Sequence, residues 1–89
     1  MTEEDVLRRA KEFVVDSFMY MRRNKDLRDD DSLLRTGLIS SLGMMELVEW
    51  VQETFSLTID PSEITEQNFD TIQSIARYVT AKFGSSSAA

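Results

Sequence analysis

The sequence predicts an all-α domain, a small four-helix bundle made of three long helices and one short helix. In three segments, apolar residues recur at intervals of three and four, the period of an α-helix with one buried face. The chain has 89 residues, enough for a single domain with a thin core. Its apolar fraction of 42% and charged fraction of 29% are typical of a folded globular domain and not of a disordered chain.

The first predicted helix spans residues 3–23. Thr2 is a suitable N-cap, Asp5 lies three residues later, and acidic residues in the first turn favour the positive end of the helix. Basic residues at positions 22, 23 and 25 suit its other end. The apolar residues expected on its buried face are Val6, Leu7, Ala10, Phe13, Val14, Phe18, Tyr20 and Met21.

The segment that follows, up to residue 40, has neither the helical nor the strand period. Loops of this length are uncommon in compact domains and often carry function. The acidic run Asp29–Asp31 lacks the spacing of a calcium loop, because Leu33 and Arg35 fall at ligand positions. We interpret this run as solvated surface charge. The apolar residues expected to pack the loop onto the helices are Leu27, Leu33, Leu34, Leu38 and Ile39.

The second helix is expected to begin after Ser40, a good N-cap residue. Trp50 lies beside its apolar face, where packing is a more frequent role than ligand binding. Residues 56–60 alternate too briefly to predict a strand, and Pro61 ends the alternation. The residues expected on the buried face of this helix are Met44, Leu47, Val48, Val51 and Phe55.

Two more helices complete the predicted bundle. Residues 65–69 form one short helical turn, after which Asp70 caps the final helix together with Gln73. Gly84 is expected to stop this helix, which leaves residues 85–89 as a disordered tail and residues 1–84 as the folded domain. The residues expected on its buried face are Ile72, Ile75, Ala76, Val79 and Phe83.

The composition excludes several classes of function. The chain contains no histidine and no cysteine, so it lacks the usual metal ligands, the usual general base and any Ser-His or Cys-His nucleophile pair. Its three glycines form no phosphate-binding loop. We therefore expect no catalytic residues, no metal site and no enzyme activity of its own.

The net charge of −6 is concentrated in the second half of the chain, which contains seven acidic residues and only two basic residues, Arg77 and Lys82. Such a surface disfavours nucleic acid and favours a basic protein partner. The sequence has no apolar run long enough to span a membrane, and its N-terminal segment lacks the apolar core of a signal peptide. With no cysteine present, nothing demands an oxidising compartment, and the cytoplasm is the expected location. The chain is also expected to be a monomer.

The most informative segment lies where the long loop meets the second helix. Residues Gly37 to Leu42 read Gly-Leu-Ile-Ser-Ser-Leu, which resembles the phosphopantetheine attachment motif of acyl and peptidyl carrier proteins. In that family a Gly-x-x-Asp-Ser-Leu run opens the second helix. Residues 45–55 resemble the family's second helix and residues 64–70 its third, so that the similarity covers about residues 3–83.

The resemblance implies a function as a discrete carrier protein. Ser41 aligns with the serine to which a phosphopantetheinyl transferase links 4′-phosphopantetheine from coenzyme A, using Mg²⁺. The arm's thiol would hold acyl or aminoacyl intermediates as thioesters for a loading enzyme and for downstream biosynthetic enzymes. The second helix has fewer acidic residues than the resemblance to housekeeping fatty-acid carriers would imply. This favours natural-product or specialised lipid biosynthesis, with an aminoacyl or aryl cargo.

The residues themselves agree with this interpretation. A serine in the first turn of a helix projects toward solvent beside unpaired N–H groups, which favour a nearby phosphodiester by about 0.3–1 kcal/mol. One position departs from the family pattern, because Ser40 replaces the aspartate before the modified serine. Ser40 still suits the cap, but a carboxylate for the transferase's basic surface is lost. Ser41 as a plain helix-start residue, and Ser40 as the attachment point, remain alternatives.

The second helix also suggests where partners dock. Leu42 and Met45 offer an apolar contact, and Glu46, Glu49 and Glu53 offer a negative rim. The alternative is that both apolar side chains are half-buried packing. A second hypothesis for the whole chain is an unmodified helical protein-interaction module that kept the carrier fold, and the Ser40 departure is what favours it.

Overall fold

The computed structural model describes residues 2–21, 23 and 26–88, and its described secondary structure is helical. In chain order the elements are α1 (Glu3–Phe18), α2 (Ser41–Phe55), a 3₁₀ turn (Pro61–Glu63), α3 (Glu66–Phe69) and α4 (Ile72–Ala88). Helix α4 packs along α1 and against the short α3. The predicted all-α fold of three long helices and one short helix is therefore confirmed.

Helix α1 begins as predicted. The hydroxyl of Thr2 accepts from the backbone N–H of Asp5 at 3.2 Å, and the Asp5 carboxylate accepts from the N–H of Thr2 at 3.3 Å. These two bonds complete a capping box that satisfies two N–H groups at the helix start. They also hold the pKa of Asp5 below its ordinary value, because both hydrogen bonds favour the charged carboxylate.

The predicted C-terminal end of α1 is wrong. The helix ends at Phe18 and not at residue 23, and the N–H of Met19 makes the last bond, to the carbonyl of Val15. Because the backbone leaves helical geometry at Met19, the side chain of that residue turns into the core and is 3% exposed. Tyr20 and Met21, which were expected on the buried face, are 65% and 83% exposed instead. Residues 22 and 25, predicted at the basic end of the helix, lie outside the described residues.

Helix α2 matches its prediction at the start and along its face. The hydroxyl of Ser40 accepts from the N–H of Gly43 at 3.2 Å, so Ser40 is the N-cap. Trp50 packs as expected, with its ring stacked on Phe13 at a centroid distance of 4.5 Å. The helix ends at Phe55, and its C-cap residue Ser56 adopts the left-handed conformation. The five residues predicted for the inner face are all buried: Met44, Leu47, Val48, Val51 and Phe55.

The long loop is pinned to the bundle by apolar side chains, as predicted: Leu27, Leu33, Leu38 and Ile39 are buried and Leu34 packs against them. The carboxylates of the acidic run have partners within the chain. Asp29 forms an ion pair with Lys11 at 2.7 Å, Asp30 lies 3.8 Å from Arg28, and Asp31 accepts from the N–H of Arg28. The run therefore shapes the loop as well as charging its surface.

The predicted cap and stop of α4 are both wrong. The capping hydroxyl belongs to Thr71, which accepts from the N–H of Ser74 at 3.0 Å, while Ser74 Oγ accepts from the N–H of Thr71. Asp70 is unavailable as a cap because its carboxylate is bound to the long loop. Helix α4 also continues through Gly84 to Ala88, since glycine weakens a helix by only about 1 kcal/mol and does not forbid it.

The inner face of α4 agrees with the prediction. Four of the five predicted residues are buried in the core, and the fifth, Phe83, is partly buried against it. The four buried residues are Ile72, Ile75, Ala76 and Val79. Among the described residues, no helix combines the length and apolarity needed to cross a bilayer. The disorder predicted for residues 85–89 stays a prediction, and Ala89 lies outside the described residues.

Candidate functional site

Two neighbouring serines lie where the long loop enters α2, and they have different roles in the fold. The hydroxyl of Ser40 is engaged in the cap of the helix, where it accepts from the N–H of Gly43. Ser41 is the first helical residue and is exposed. Within the described part of the chain its hydroxyl makes no hydrogen bond. Of the two hydroxyls, that of Ser40 is therefore part of the helix cap and that of Ser41 is not.

The start of α2 is electrostatically suited to an anion. Its first turn contains no acidic residue, so no charge from its own turn cancels the partial positive charge of the helix start. The N–H of Gly43 is bound by Ser40, but the first N–H groups of a helix have no partner within it and favour an anion at the helix start. A phosphate ester at Ser41 would meet N–H donors and no carboxylate of its own turn.

A groove of about 220 Å³ opens beside Ser41. Met44 and Met45 of α2 form one wall, and the segment that leads into α3 forms the other. Methionine is long and unbranched, so such walls can adapt to occupants of different shape. The residues that line this groove are Leu34, Ser41, Met44, Met45, Ile64, Thr65 and Glu66.

A second groove, of about 330 Å³, continues along the same face of α2 and shares Met45 and Ile64 with the first. It gathers four of the five residues predicted for partner docking: Leu42, Met45, Glu46 and Glu49. Leu42 is 73% exposed and therefore lies mostly in solvent, whereas Met45, at 51% exposed, is half-buried as the alternative interpretation expects. Glu53 is exposed on α2 but does not line the groove.

The far wall of both grooves is held in place by polar contacts. Lys82 of α4 binds the carboxylate of Glu63 at 2.9 Å, and this bond raises the pKa of the Lys82 ammonium. The carbonyl of Glu63 accepts from the side-chain amide of Asn68 at 2.8 Å, and Thr65 caps α3 through the N–H of Asn68. These bonds tie the segment around Ile64 to both α3 and α4.

The sequence predicted the groove wall formed by α2 but not the opposite wall formed by residues 64–66. Ser41 and the outer face of α2 follow from one continuous segment, and the fold brings them together as expected. Thr65 and Glu66 were predicted in a short helical turn and Ile64 in the segment just before it, with no indication that they would face α2 across a groove. The described residues bring together no group of three or more acidic side chains able to hold a metal ion.

The chain is similar to one described family and to several named carrier proteins. The family described as "Phosphopantetheine attachment site" matches residues 15–79. A D-alanyl carrier protein of Abiotrophia defectiva is 31% identical over 77 residues, which cover 86% of this chain and 90% of the relative. Aminoacyl carrier protein 2 of Bradyrhizobium diazoefficiens is 36% identical over 62 residues, which cover 70% and 68%. A D-alanyl carrier protein of Streptococcus uberis is 28% identical over 72 residues.

Proposed function

The chain belongs to the phosphopantetheine-attachment family of carrier proteins, and from this premise we propose that Ser41 bears the covalent arm and that the cargo is a small aminoacyl group. The family's 4′-phosphopantetheine supplies a terminal thiol that holds cargo as a thioester. The chain's own residues position the arm and present it to partners. The chemistry on the cargo belongs to those partner enzymes.

The assignment to Ser41 is carried by one observation: the hydroxyl of Ser40 caps α2 and the hydroxyl of Ser41 does not. Modification of Ser40 would place a bulky phosphodiester on the hydroxyl that caps α2, and loss of such a cap typically costs about 1 kcal/mol. Modification of Ser41 leaves the cap intact, because its exposed hydroxyl supports no other contact among the described residues. The groove of about 220 Å³ beside Ser41 fits the first part of an extended arm.

Intact-mass analysis tests this assignment. The chain is incubated with coenzyme A, Mg²⁺ and a broad-specificity phosphopantetheinyl transferase. We expect the wild type and Ser40→Ala to gain one phosphopantetheine group and Ser41→Ala to gain none. The assignment fails if Ser41→Ala is modified as completely as the wild type.

Partner enzymes are proposed to dock on the outer face of α2. Leu42 and Met45 expose apolar surface beside Ser41, and Glu46 and Glu49 line the same groove with negative charge. An apolar contact surrounded by acids is complementary to an apolar pocket with a basic rim. Glu53 lies outside the groove, so its contribution to docking is expected to be smaller than that of Glu46 or Glu49.

Charge reversal separates docking from folding. We expect Glu46→Lys and Glu49→Lys to raise the KM of the transferase and of the loading enzyme severalfold, with a steeper effect at low salt. Glu12→Lys on α1 is the matched control, because it reverses an exposed acid that lines neither of the two grooves. Unchanged kinetics in both α2 variants would refute docking on this face.

The aminoacyl cargo is proposed from the kinds of protein that this chain resembles. The similar proteins are named D-alanyl carrier protein and aminoacyl carrier protein. Incubation of the modified chain with adenylating enzymes of different amino-acid specificity, and with acyl-loading enzymes, tests the proposal by intact mass. We expect a mass gain from a small amino acid. Loading by fatty-acyl enzymes alone would contradict it and favour a lipid pathway.

The replacement of the family's aspartate by Ser40 favours a second candidate, a helical interaction module that is not modified. This candidate shares the docking face of α2 but needs no reactive serine. The intact-mass experiment separates the carrier from the interaction module. An unmodified module should gain no mass with any transferase, and its Ser41→Ala variant should bind partners as tightly as the wild type.

A further inference from the structure

Asp70 connects the junction of α3 and α4 to the loop that leads into the attachment site. Its carboxylate accepts from Ser32 Oγ at 2.5 Å and from the N–H of Leu34 at 3.0 Å. Its backbone carbonyl accepts from the N–H of Leu33 at 2.8 Å. One half-buried residue thus accepts hydrogen bonds from three consecutive residues of the loop.

These bonds continue toward α2 through the turn at residues 32–36. Ser32 stabilises the turn, because its carbonyl accepts from the N–H and the hydroxyl of Thr36. The carbonyl of Leu33 then accepts from the N–H of Ile39 at 3.0 Å. Ile39 is buried and immediately precedes the two serines. The start of α2 is therefore linked through Leu33 to the backbone carbonyl of Asp70, and the Asp70 carboxylate holds the residues on either side of Leu33.

We propose that Asp70 is a positioning residue for the modification of Ser41. It holds the loop so that the Ser41 hydroxyl is presented in one geometry to a bound transferase, and the proposal rests on the proposed attachment at Ser41. Asp70 lines neither groove, so it acts on how the hydroxyl is held and not on how the partner is bound.

This role predicts a specific division of kinetic effects. In Asp70→Ala the loop loses two carboxylate bonds, so the hydroxyl spends less time in reactive geometry within the complex. We expect kcat for modification to fall about tenfold, because displacement of a reacting group is costly. KM should stay within about twofold, since the docking face is unchanged. Asp70→Asn keeps a carbonyl for Leu34 and an amide that can donate to Ser32 Oγ, so it should restore most of the rate.

Two further variants separate positioning from general stability. Asp60→Ala is the matched control, because the Asp60 carboxylate also accepts from one N–H and one hydroxyl, but both belong to Ser62 in a local cap that does not touch the loop. It should leave kcat unchanged. Ser32→Ala removes the hydroxyl that donates to Asp70 and accepts from the N–H of Arg35, but it keeps the bond from Leu34 to Asp70. It should therefore lower kcat less than Asp70→Ala. The Ser32→Ala, Asp70→Ala pair should be non-additive, because both residues belong to one contact.

The experiment measures transferase kinetics for folded, purified chains, with ¹H–¹⁵N spectra as a second readout. We expect the amide signals of residues 39–43 to shift in Asp70→Ala and not in Asp60→Ala. Unchanged kcat in Asp70→Ala, an equal fall in Asp60→Ala, or a rise in KM alone would overturn the positioning role. A wild type that gains no arm would overturn the attachment proposal as well, so the two failures are distinguishable.

Discussion

Replacement of Gly43 by alanine probes the packing beneath the attachment site most sharply. Gly43 lies in the first turn of α2, where its backbone approaches the end of α1 and the loop before Ser40. A methyl group at this position would lie 2.9 Å from Ile39 Cγ2 and 3.0 Å from Phe18 Cε1. Carbon atoms prefer to be about 3.5–4.0 Å apart, so both neighbours would have to move.

Two opposing terms set the size of the effect. Alanine gains at most about 1 kcal/mol over glycine in helix propensity, and less in the first turn. Overpacking of a well-filled core costs about 1–3 kcal/mol. Ile39 is 1% exposed, and its Cγ2 is attached directly to Cβ, so it cannot swing away. We expect the clash to prevail and Gly43→Ala to lower the free energy of unfolding by about 1–2 kcal/mol.

Urea unfolding followed by Trp50 fluorescence measures this change, since Trp50 is the single tryptophan and stacks on Phe13. The double variant Gly43→Ala, Phe18→Leu should lose less stability than the sum of the single variants, because a smaller neighbour relieves the clash. Gly37→Ala is a useful contrast. Gly37 has open space around it but a φ of +74°, so its cost is backbone strain with no such coupling. If Gly43→Ala is more stable than the wild type, helix propensity prevails and the close packing is refuted.

Three other substitutions test separate parts of the structure. Phe69→Ala should lower the free energy of unfolding by about 3–5 kcal/mol in urea, because the ring is 0% exposed, and a loss below about 1 kcal/mol would contradict that burial. Burial raises the pKa of Tyr78 above its ordinary value of 10.0, so its contribution to stability is complete below that pH and is lost as pH rises through the raised pKa. The free energy of unfolding in urea should therefore decrease less between pH values below and above 10 in Tyr78→Phe than in the wild type or in Tyr20→Phe. An equal decrease in all three proteins would refute this cause. Thr2→Ala should cost about 1 kcal/mol by removing the cap on Asp5, measured by thermal unfolding, and no change in Tm would show that the capping box is dispensable.

Local sequence patterns correctly predicted those features of the fold that depend on residues close together in the sequence. The faces of α2 and α4 follow from apolar spacing, because each helix buries one continuous stripe. The start of α2 follows from Ser40, whose hydroxyl reaches an N–H only three residues away. Ser41 and the exposed side of α2 could be proposed as a site for the same reason, since a single segment of sequence carries them.

The errors arise where distant contacts compete with local preference. Residues after Phe18 favour a helix by composition, but Met19 turns into the core and the helix ends. Asp70 and Gln73 have the spacing of a capping pair, yet the Asp70 carboxylate binds Ser32, 38 residues away. No local pattern contains such a partner. The groove wall around residues 64–66 was missed for the same reason, because it meets α2 only in the folded chain.

Fragmentation of the modified wild-type peptide tests the central claim most directly. After transfer from coenzyme A, tandem mass spectrometry of the peptide that contains both serines locates the added group without any substitution. The account predicts that fragment ions ending between Ser40 and Ser41 assign the group to Ser41 alone. Fragments that carry it on Ser40 would contradict the account, because the hydroxyl that caps α2 would then be the reactive one.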